Sequence, residues 1–226
     1  MTSPFDMPLG CFSPAAFLGT GFDFIELVRR PEVADKWFEP SACREMTVGA
    51  VAAHGLSNLE VVLLECERPE PATSRLLGIV EYGRPMRLNQ PKDFDDLPGF
   101  RMIAQQSEAL AADGSARVIE RAEAWLEHLR WVLPAMDPDK HVYLPRLPPM
   151  AGSLSMTLAN RTNELVVHMD DVAVSVGLPT PPIRPEAAAM ALTVLTSLSR
   201  YANTDLELIR VMARSERAKP DKVRAI

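Results

Sequence analysis

The sequence is poor in the residues that covalent frameworks and charged interfaces need. It has three cysteines, Cys11, Cys43 and Cys66. Their odd number, with no Cys-x-x-Cys pair, argues against a disulfide framework and points to a reducing compartment, expected to be the cytoplasm. Positive charge is also in short supply: 24 Lys and Arg against 30 Asp and Glu give a formal net charge of −6. Nucleic acid and anionic membranes are both bound through basic patches, so neither is expected as a main partner. Only five of the basic residues are lysines, and alanine is abundant beside 20 prolines. That is the coding bias of a GC-rich genome and carries no chemistry. No basic residue precedes Arg29, so no charged region stands ahead of an apolar signal. No uncharged apolar run approaches the ~18 residues of a membrane span. Repeats and low-complexity tracts are missing as well.

What the sequence does have is helical periodicity. A chain of 226 residues suggests one domain, or one domain with an extension. Residues 1–12 read as an irregular arm. Ser13-Pro14 is a helix start, with Ser as N-cap and Pro at the first position. A stripe of Phe17, Leu18, Phe22, Ile25 and Val28 follows, and Pro31 ends it. Residues 32–46 read as a connection in which Trp37 plugs the core. Thr47 caps a second, strongly apolar helix that runs to about Glu67. Prolines at 69, 71, 85, 91 and 98 make 68–98 the least regular stretch, expected as a long functional loop. A helical pattern resumes at Gly99, breaks at Asp113-Gly114, and restarts with Ser115 as cap and Val118, Ala122, Trp125, Leu126, Leu129 and Val132 as its stripe. Residues 134–150 read as a proline-rich loop with a short extended piece at 141–144.

No proline or glycine lies between Met156 and Val176, so this stretch reads as one helix, closed by Gly177 as a C-cap. Two further helices follow. One opens at Pro185 with Ala189, Leu192, Leu195 and Leu198 expected inward. The other opens at Asp205 with Leu206, Ile209 and Met212, and the chain beyond about Arg214 is expected as a frayed, charged tail. Every strong periodic segment is helical, so the fold class is all-α.

The long helix carries the chemistry. Glu164 and His168 stand four apart, one turn from each other on one face. Asp171 follows three residues later, and Arg161 lies one turn the other way. Leu158, Leu165, Met169, Val172 and Val176 make the adjoining core stripe. A carboxylate and an imidazole at this spacing suit one divalent metal. They equally suit a hydrogen-bonded pair in the core or on the surface. A third ligand must come from elsewhere, and the chain has four histidines: His54, His128, His141 and His168. His54 lies on the inward face of the second helix with Ala50, Val51, Asn58 and Val61, where a neutral imidazole needs a partner. That partner is a shared metal or a core hydrogen bond. His128 and His141 read as boundary or exposed residues.

Two segments carry a family likeness. Cys43-Arg44-Glu45-Met46-Thr47-Val48, leading to His54, resembles a Cys-x-x-Trp-Thr-Val-x-x-x-x-x-His entry into a helix. Arg161-Thr162-Asn163-Glu164-Leu165-Val166-Val167-His168-Met169-Asp170-Asp171-Val172-Ala173 resembles an Arg-x-x-Glu-Leu-x-x-His-x-x-Asp-Leu-Ala helix. Both are similar to the DinB-like superfamily, in its mycothiol-dependent maleylpyruvate isomerase and mycothiol transferase branch. The likeness runs loosely from Ser13 to Leu178. Met46 stands where the family has Trp, and Val172 where it has Leu.

The resemblance implies a DinB-like four-helix bundle over residues 13–178, with additional C-terminal helices over 179–226. It implies a divalent metal held by His54, Glu164 and His168, zinc foremost, with nickel, cobalt or iron also compatible with these donors. Three protein ligands leave a coordination position open, as in catalytic sites. A thiol with a pKa near 8.5 is mostly protonated at neutral pH, and coordination deprotonates it. The implied co-substrate is mycothiol, which as a metal-bound thiolate attacks an electrophilic small molecule in a transferase or isomerase reaction. Arg84 is the positional match for a catalytic arginine after the first His. Asp171 is a candidate for orienting His168. Asn58 and Arg161 are candidates for binding the thiol or substrate, and for each a structural pairing is the plainer alternative. A non-enzymatic metal- or ligand-binding bundle and a metal-dependent hydrolase stay open as other readings, and the chain is expected as a monomer or homodimer.

Overall fold

The computed structural model describes residues 12–72, 75–87, 98–144 and 150–213, with side chains throughout except at 84–87, 98–100 and 202. Residues 1–11 of the arm, 73–74 and 88–97 of the proline-rich stretch, 145–149 of the second proline-rich loop and the tail from 214 lie outside the described residues. The described fold is an all-α, DinB-like four-helix bundle with additional C-terminal helices.

Helix α1, Pro14–Val28, begins where the Ser13 hydroxyl accepts the Ala16 N–H at 3.3 Å. A short helix α2, Pro31–Asp35, then occupies part of the expected connection. Pro31 ends α1 and, at a first helical position, starts the next turn. Trp37 is 2% exposed, and its indole N–H donates to the Ala111 carbonyl at 2.9 Å. Helix α3, Val48–Glu67, is capped by Thr47, which accepts the Ala50 N–H at 3.1 Å. The Glu108 carboxylate accepts both the backbone N–H and the hydroxyl of Thr47, at 2.7 and 2.9 Å. Helix α3 is apolar and long enough to cross a membrane by length and composition, but 72% of that window is buried inside the protein. It is the central helix of a core. At its far end the Lys140 ammonium donates to the carbonyls of Glu65, Cys66 and Arg68 at 2.8, 2.6 and 2.8 Å, satisfying acceptors that a helix end leaves open.

The stretch expected as an irregular loop contains a helix, α4, Ile79–Arg87, despite Pro85. Its apolar residues decide this: Ile79 and Val80 are each 2% exposed and pack into a second cluster with Val194 and Leu198. Pro98 likewise does not interrupt structure but opens α5, Pro98–Ala111, where its missing N–H costs nothing. Helix α6, Ser115–Val132, follows a break at Gly114, whose φ of 85° takes the left-handed region. Gly114, not Ser115, holds the cap position, and no side chain caps this end.

A 3₁₀ turn, Leu133–Ala135, leads to a two-stranded antiparallel ribbon, β1 His141–Tyr143 with β2 Ala151–Ser153, in the register His141↔Ser153 and Tyr143↔Ala151. Helix α7, Leu154–Val176, starts at the Ser153 cap and ends at Gly177, whose φ of 78° lets the Leu178 N–H reach back to the Ala173 carbonyl at 2.9 Å.

Helices α1, α3, α6 and α7 form the bundle, α5 packs on α3, and α8, Pro185–Ala202, packs along α7. Phe17, Phe24, Leu56, Leu59, Leu129, Leu158, Leu165 and Met169 fill the centre. On α8 the buried face is Ala187, Met190, Ala191, Val194 and Leu198, while Leu192 is 64% exposed and Ala189 is also exposed. Of the stripe expected inward, Leu198 is buried and Leu195 half-buried, while Ala189 and Leu192 face out: small residues let α8 lie close against α7. Helix α9, Asp205–Ala213, buries Leu208 and exposes Leu206, Ile209 and Met212.

Candidate metal centre

The most extensive helix–helix contact in the bundle, α3 against α7, brings His54 to the face that carries Glu164 and His168. Gly55 permits the approach. A Cβ there would lie 2.4 Å from Phe24 Cε1 and 3.0 Å from the Cβ of His168, nearer than carbon atoms pack. With only hydrogen in that place, His54 Nε2 comes within 3.8 Å of Glu164 Oε2, and His168 Nε2 within 3.4 Å of the same oxygen. The two imidazoles meet edge to face, with centroids 4.9 Å apart and planes at 78°. One donor atom from each of the three residues lies within 4.8 Å of the others.

This geometry fits a metal ion. Bonds of ~2.0–2.2 Å from imidazole nitrogen and carboxylate oxygen to a tetrahedral ion separate its donors by roughly 3.3–3.6 Å. The His168–Glu164 separation of 3.4 Å already falls in that range, and the His54–Glu164 separation of 3.8 Å is a few tenths of an ångström beyond it. Asp171 Oδ2 lies 3.0 Å from His168 Nδ1. An ionised carboxylate only accepts, so Nδ1 carries the proton and Nε2 is the nitrogen turned to Glu164 and His54.

Burial pushes the His54 imidazole below its ordinary pKa, so it is neutral and ready to donate a lone pair. Burial pushes His168 the same way. Its bonds to Asp171, Cys43 and Glu164 more than offset this and hold it well above the usual histidine range. Burial alone would raise Glu164. The two imidazoles and the nearby Arg161 guanidinium hold it well below the usual carboxylate range instead. Without an ion, the centre is thus a carboxylate, a neutral imidazole and an imidazolium.

Asn58, one turn past His54, is 2% exposed and clamped: its amide donates to the Gly55 carbonyl at 2.9 Å, and its oxygen accepts from Arg161 Nη1 at 3.0 Å. Arg161 Nη2 donates to the Tyr82 hydroxyl of α4 at 2.8 Å. The guanidinium therefore spans α3 and α4 beside the centre, and Arg161 lines a small cleft with Val61, Tyr82, Tyr143, Thr157 and Asn160. Among the described residues, its Nε–H is buried without a hydrogen-bond partner. Arg84 lies on α4, and its side chain is outside the described residues. Met46 packs partly buried against the main core. His128 pairs with Glu67 and His141 sits by Glu70, both away from the centre.

Sequence reasoning missed two members of this neighbourhood. Tyr82 lay in the stretch read as loop. Cys43 was read only as part of a motif, yet its sulfur lies within 4.8 Å of the Asp171 carboxylate and a ring nitrogen of His168. Its place at the head of the segment leading to His54 was the available signal.

Fold and site together define a helical-bundle protein with a two-histidine, one-carboxylate centre between facing helices, a usual place for metal sites in bundles. The chain belongs to the mycothiol maleylpyruvate isomerase N-terminal domain family, whose sequence model matches residues 22–173. The matched span contains His54, Glu164, His168 and Asp171. Nothing among curated proteins or solved structures matches the chain.

Proposed function

We propose that the protein is a metal-dependent transferase or isomerase that uses mycothiol, a low-molecular-weight thiol, against an electrophilic small molecule. The carrying observation is the convergence of His54 Nε2, Glu164 Oε2 and His168 Nε2 within ligating reach, on a chain of a mycothiol-named family. A divalent cation, zinc foremost, would supply the Lewis acidity that turns a thiol into a thiolate at neutral pH.

The chain's own residues do the rest. Neutral His54 would hold the ion without first losing a proton, whereas His168 would give up the one on Nε2. Asp171 keeps the Nδ1 proton in place and so fixes the ring's orientation. Glu164 would bring the negative charge that balances the ion. Arg161, tied through its two Nη atoms to Asn58 and Tyr82 beside the centre, would hold a carboxylate of the thiol or the electrophile through its remaining N–H groups. Arg84 belongs to the same proposal as a catalytic arginine, on its position in α4.

Purified protein should hold about one zinc per chain by elemental analysis, and His54→Ala or His168→Ala should lose it. It should consume mycothiol in the presence of an activated electrophile, and chelation should stop this. A metal-free wild type, or thiol consumption that survives chelation, would sink the reading.

A further inference from the structure

The loop between α2 and α3 is built to hold one side chain. Its ends pair across Pro40 and Thr47. Inside it, the Ser41 hydroxyl accepts the Cys43 N–H at 3.0 Å and donates to the Met46 carbonyl at 2.8 Å. Glu45 takes a left-handed φ of 58°, uncommon for a residue with a Cβ. The loop is also tied to α7. The Ala42 N–H donates to the Ser175 hydroxyl at 2.9 Å, and that hydroxyl donates to the Asp171 carbonyl at 2.6 Å. Together these bonds hold the loop so that the Cys43 sulfur lies within 4.8 Å of a ring nitrogen of His168 and of the Asp171 carboxylate, which itself meets Nδ1 of that ring.

We propose that Cys43 is a positioning residue of the metal centre, bracing the Nδ1 edge of His168 together with Asp171 so that Nε2 stays aimed at Glu164 and His54. The inference rests on the metal reading above. A carboxylate alone fixes one point of the ring and leaves it free to tilt about that bond. A second contact on the same edge removes the tilt. The thiol suits the task as a small polar group able to meet the ring edge, a role a serine hydroxyl can share. Cys43 packs partly buried against the main core. The competing possibility is that the thiol is itself a ligand, in a sulfur, nitrogen and oxygen set with His168 and Asp171.

Cobalt(II) separates the two, because its ligand-field bands report the geometry of the donors and sulfur ligation adds an intense charge-transfer band. Wild type, Cys43→Ala and Cys43→Ser are loaded with cobalt without added thiol, and cobalt and zinc affinities are measured by chelator competition. Wild type should bind one ion with no sulfur band. Cys43→Ala should weaken binding about tenfold and shift the ligand-field bands, and Cys43→Ser, whose hydroxyl can still meet the ring edge, should restore both to within about threefold. Urea midpoints of the metal-free variants show whether the fold is kept. If Cys43→Ala does not fold, a wild-type-like spectrum and affinity in Cys43→Ser decide for the proposal, and their loss decides against it. A sulfur band that disappears in Cys43→Ser makes Cys43 a ligand and overturns the proposal. So does a folded Cys43→Ala with wild-type affinity and bands. Wild type that binds neither ion removes the metal reading itself, an outcome distinct from equal binding by all three.

Discussion

Gly55→Ala is the sharpest test of how the centre is assembled. The new methyl would stand 2.4 Å from Phe24 Cε1, 2.9 Å from Phe24 Cζ and 3.0 Å from His168 Cβ. Carbon atoms pack at about 3.5–4.0 Å, so the phenyl contact is short by roughly 1 Å and the His168 contact by roughly 0.5 Å. Neither neighbour can swing aside. Phe24 is fully buried, and the Cβ of His168 moves only with the backbone of α7. Overpacking of this kind costs ~1–3 kcal/mol, and replacing a helical glycine by alanine returns ~1 kcal/mol, so the fold should lose on the order of 1 kcal/mol. The metal should suffer more. Ligand distances tolerate only ~0.2 Å, so moving α7 by about 0.5 Å takes His168 out of joint reach with His54. A loss of at least about tenfold in zinc affinity is expected, in line with what orienting groups around metal ligands contribute.

The control is Gly49→Ala, whose methyl would strike Trp37 at 2.4 Å, a clash of the same size elsewhere on α3. Urea midpoints and chelator competition on both variants separate the effects. Gly55→Ala with a raised midpoint and unchanged zinc affinity would show that close approach at this glycine does not set the site. Equal loss of zinc affinity in Gly49→Ala would mean that affinity merely follows stability.

Lys140→Met removes a cation from three carbonyls at the end of α3. With charge-assisted bonds worth ~1.5–3 kcal/mol before solvent screening, a stability loss of about 1–2 kcal/mol is expected, read by urea unfolding; an unchanged midpoint would discount the cap. For the metal-free protein, the raised His168 contributes stability that is complete below the unfolded value of about 6.5 and is lost as pH rises through its folded pKa. The depressed Glu164 contributes stability present above about 4.5 and lost as pH falls through its folded pKa. Chelated protein should therefore lose this part of its stability toward alkaline pH, while zinc-loaded protein should gain there, because binding releases a proton. Parallel urea profiles with and without chelator between about pH 5 and 9 would refute this.

The helix boundaries were legible because their signals are local. Ser13-Pro14, Thr47 and Gly177 each act on backbone groups within a turn, and each stands where the sequence places it. The Glu164–His168 spacing was legible for the same reason, since one turn of helix fixes it. That His54 faces them follows from no local pattern. It needed either the family likeness or the packing of α3 on α7. The misses share a cause. Helix α4 was hidden by Pro85 because proline is read locally, whereas Ile79 and Val80 gain their burial from α8, more than 100 residues later. The buried face of α8 was misread because a leucine stripe predicts burial from hydrophobicity alone. Ala187, Ala191 and Val194 are buried because their small size permits close contact with α7. Cys43 escaped because a thiol's role depends on which ring edge it meets.

The two faces of α7 explain why such a centre can be both rigid and charged. Leu158, Leu165, Met169 and Val172 anchor one face in the core, so Glu164, His168 and Asp171 on the next face inherit the core's precision. Two carboxylates then flank a single imidazole inside the bundle, an excess of negative charge that low-dielectric surroundings penalise unless a positive charge sits between them. Without an ion, a proton on His168 provides that charge, with Arg161 contributing from one turn away. A divalent cation bound by Nε2 would take the same place. Ion and proton are therefore alternatives at one position, and a substitution that unseats the His168 ring must weaken the ion's hold and alter the alkaline loss of stability together.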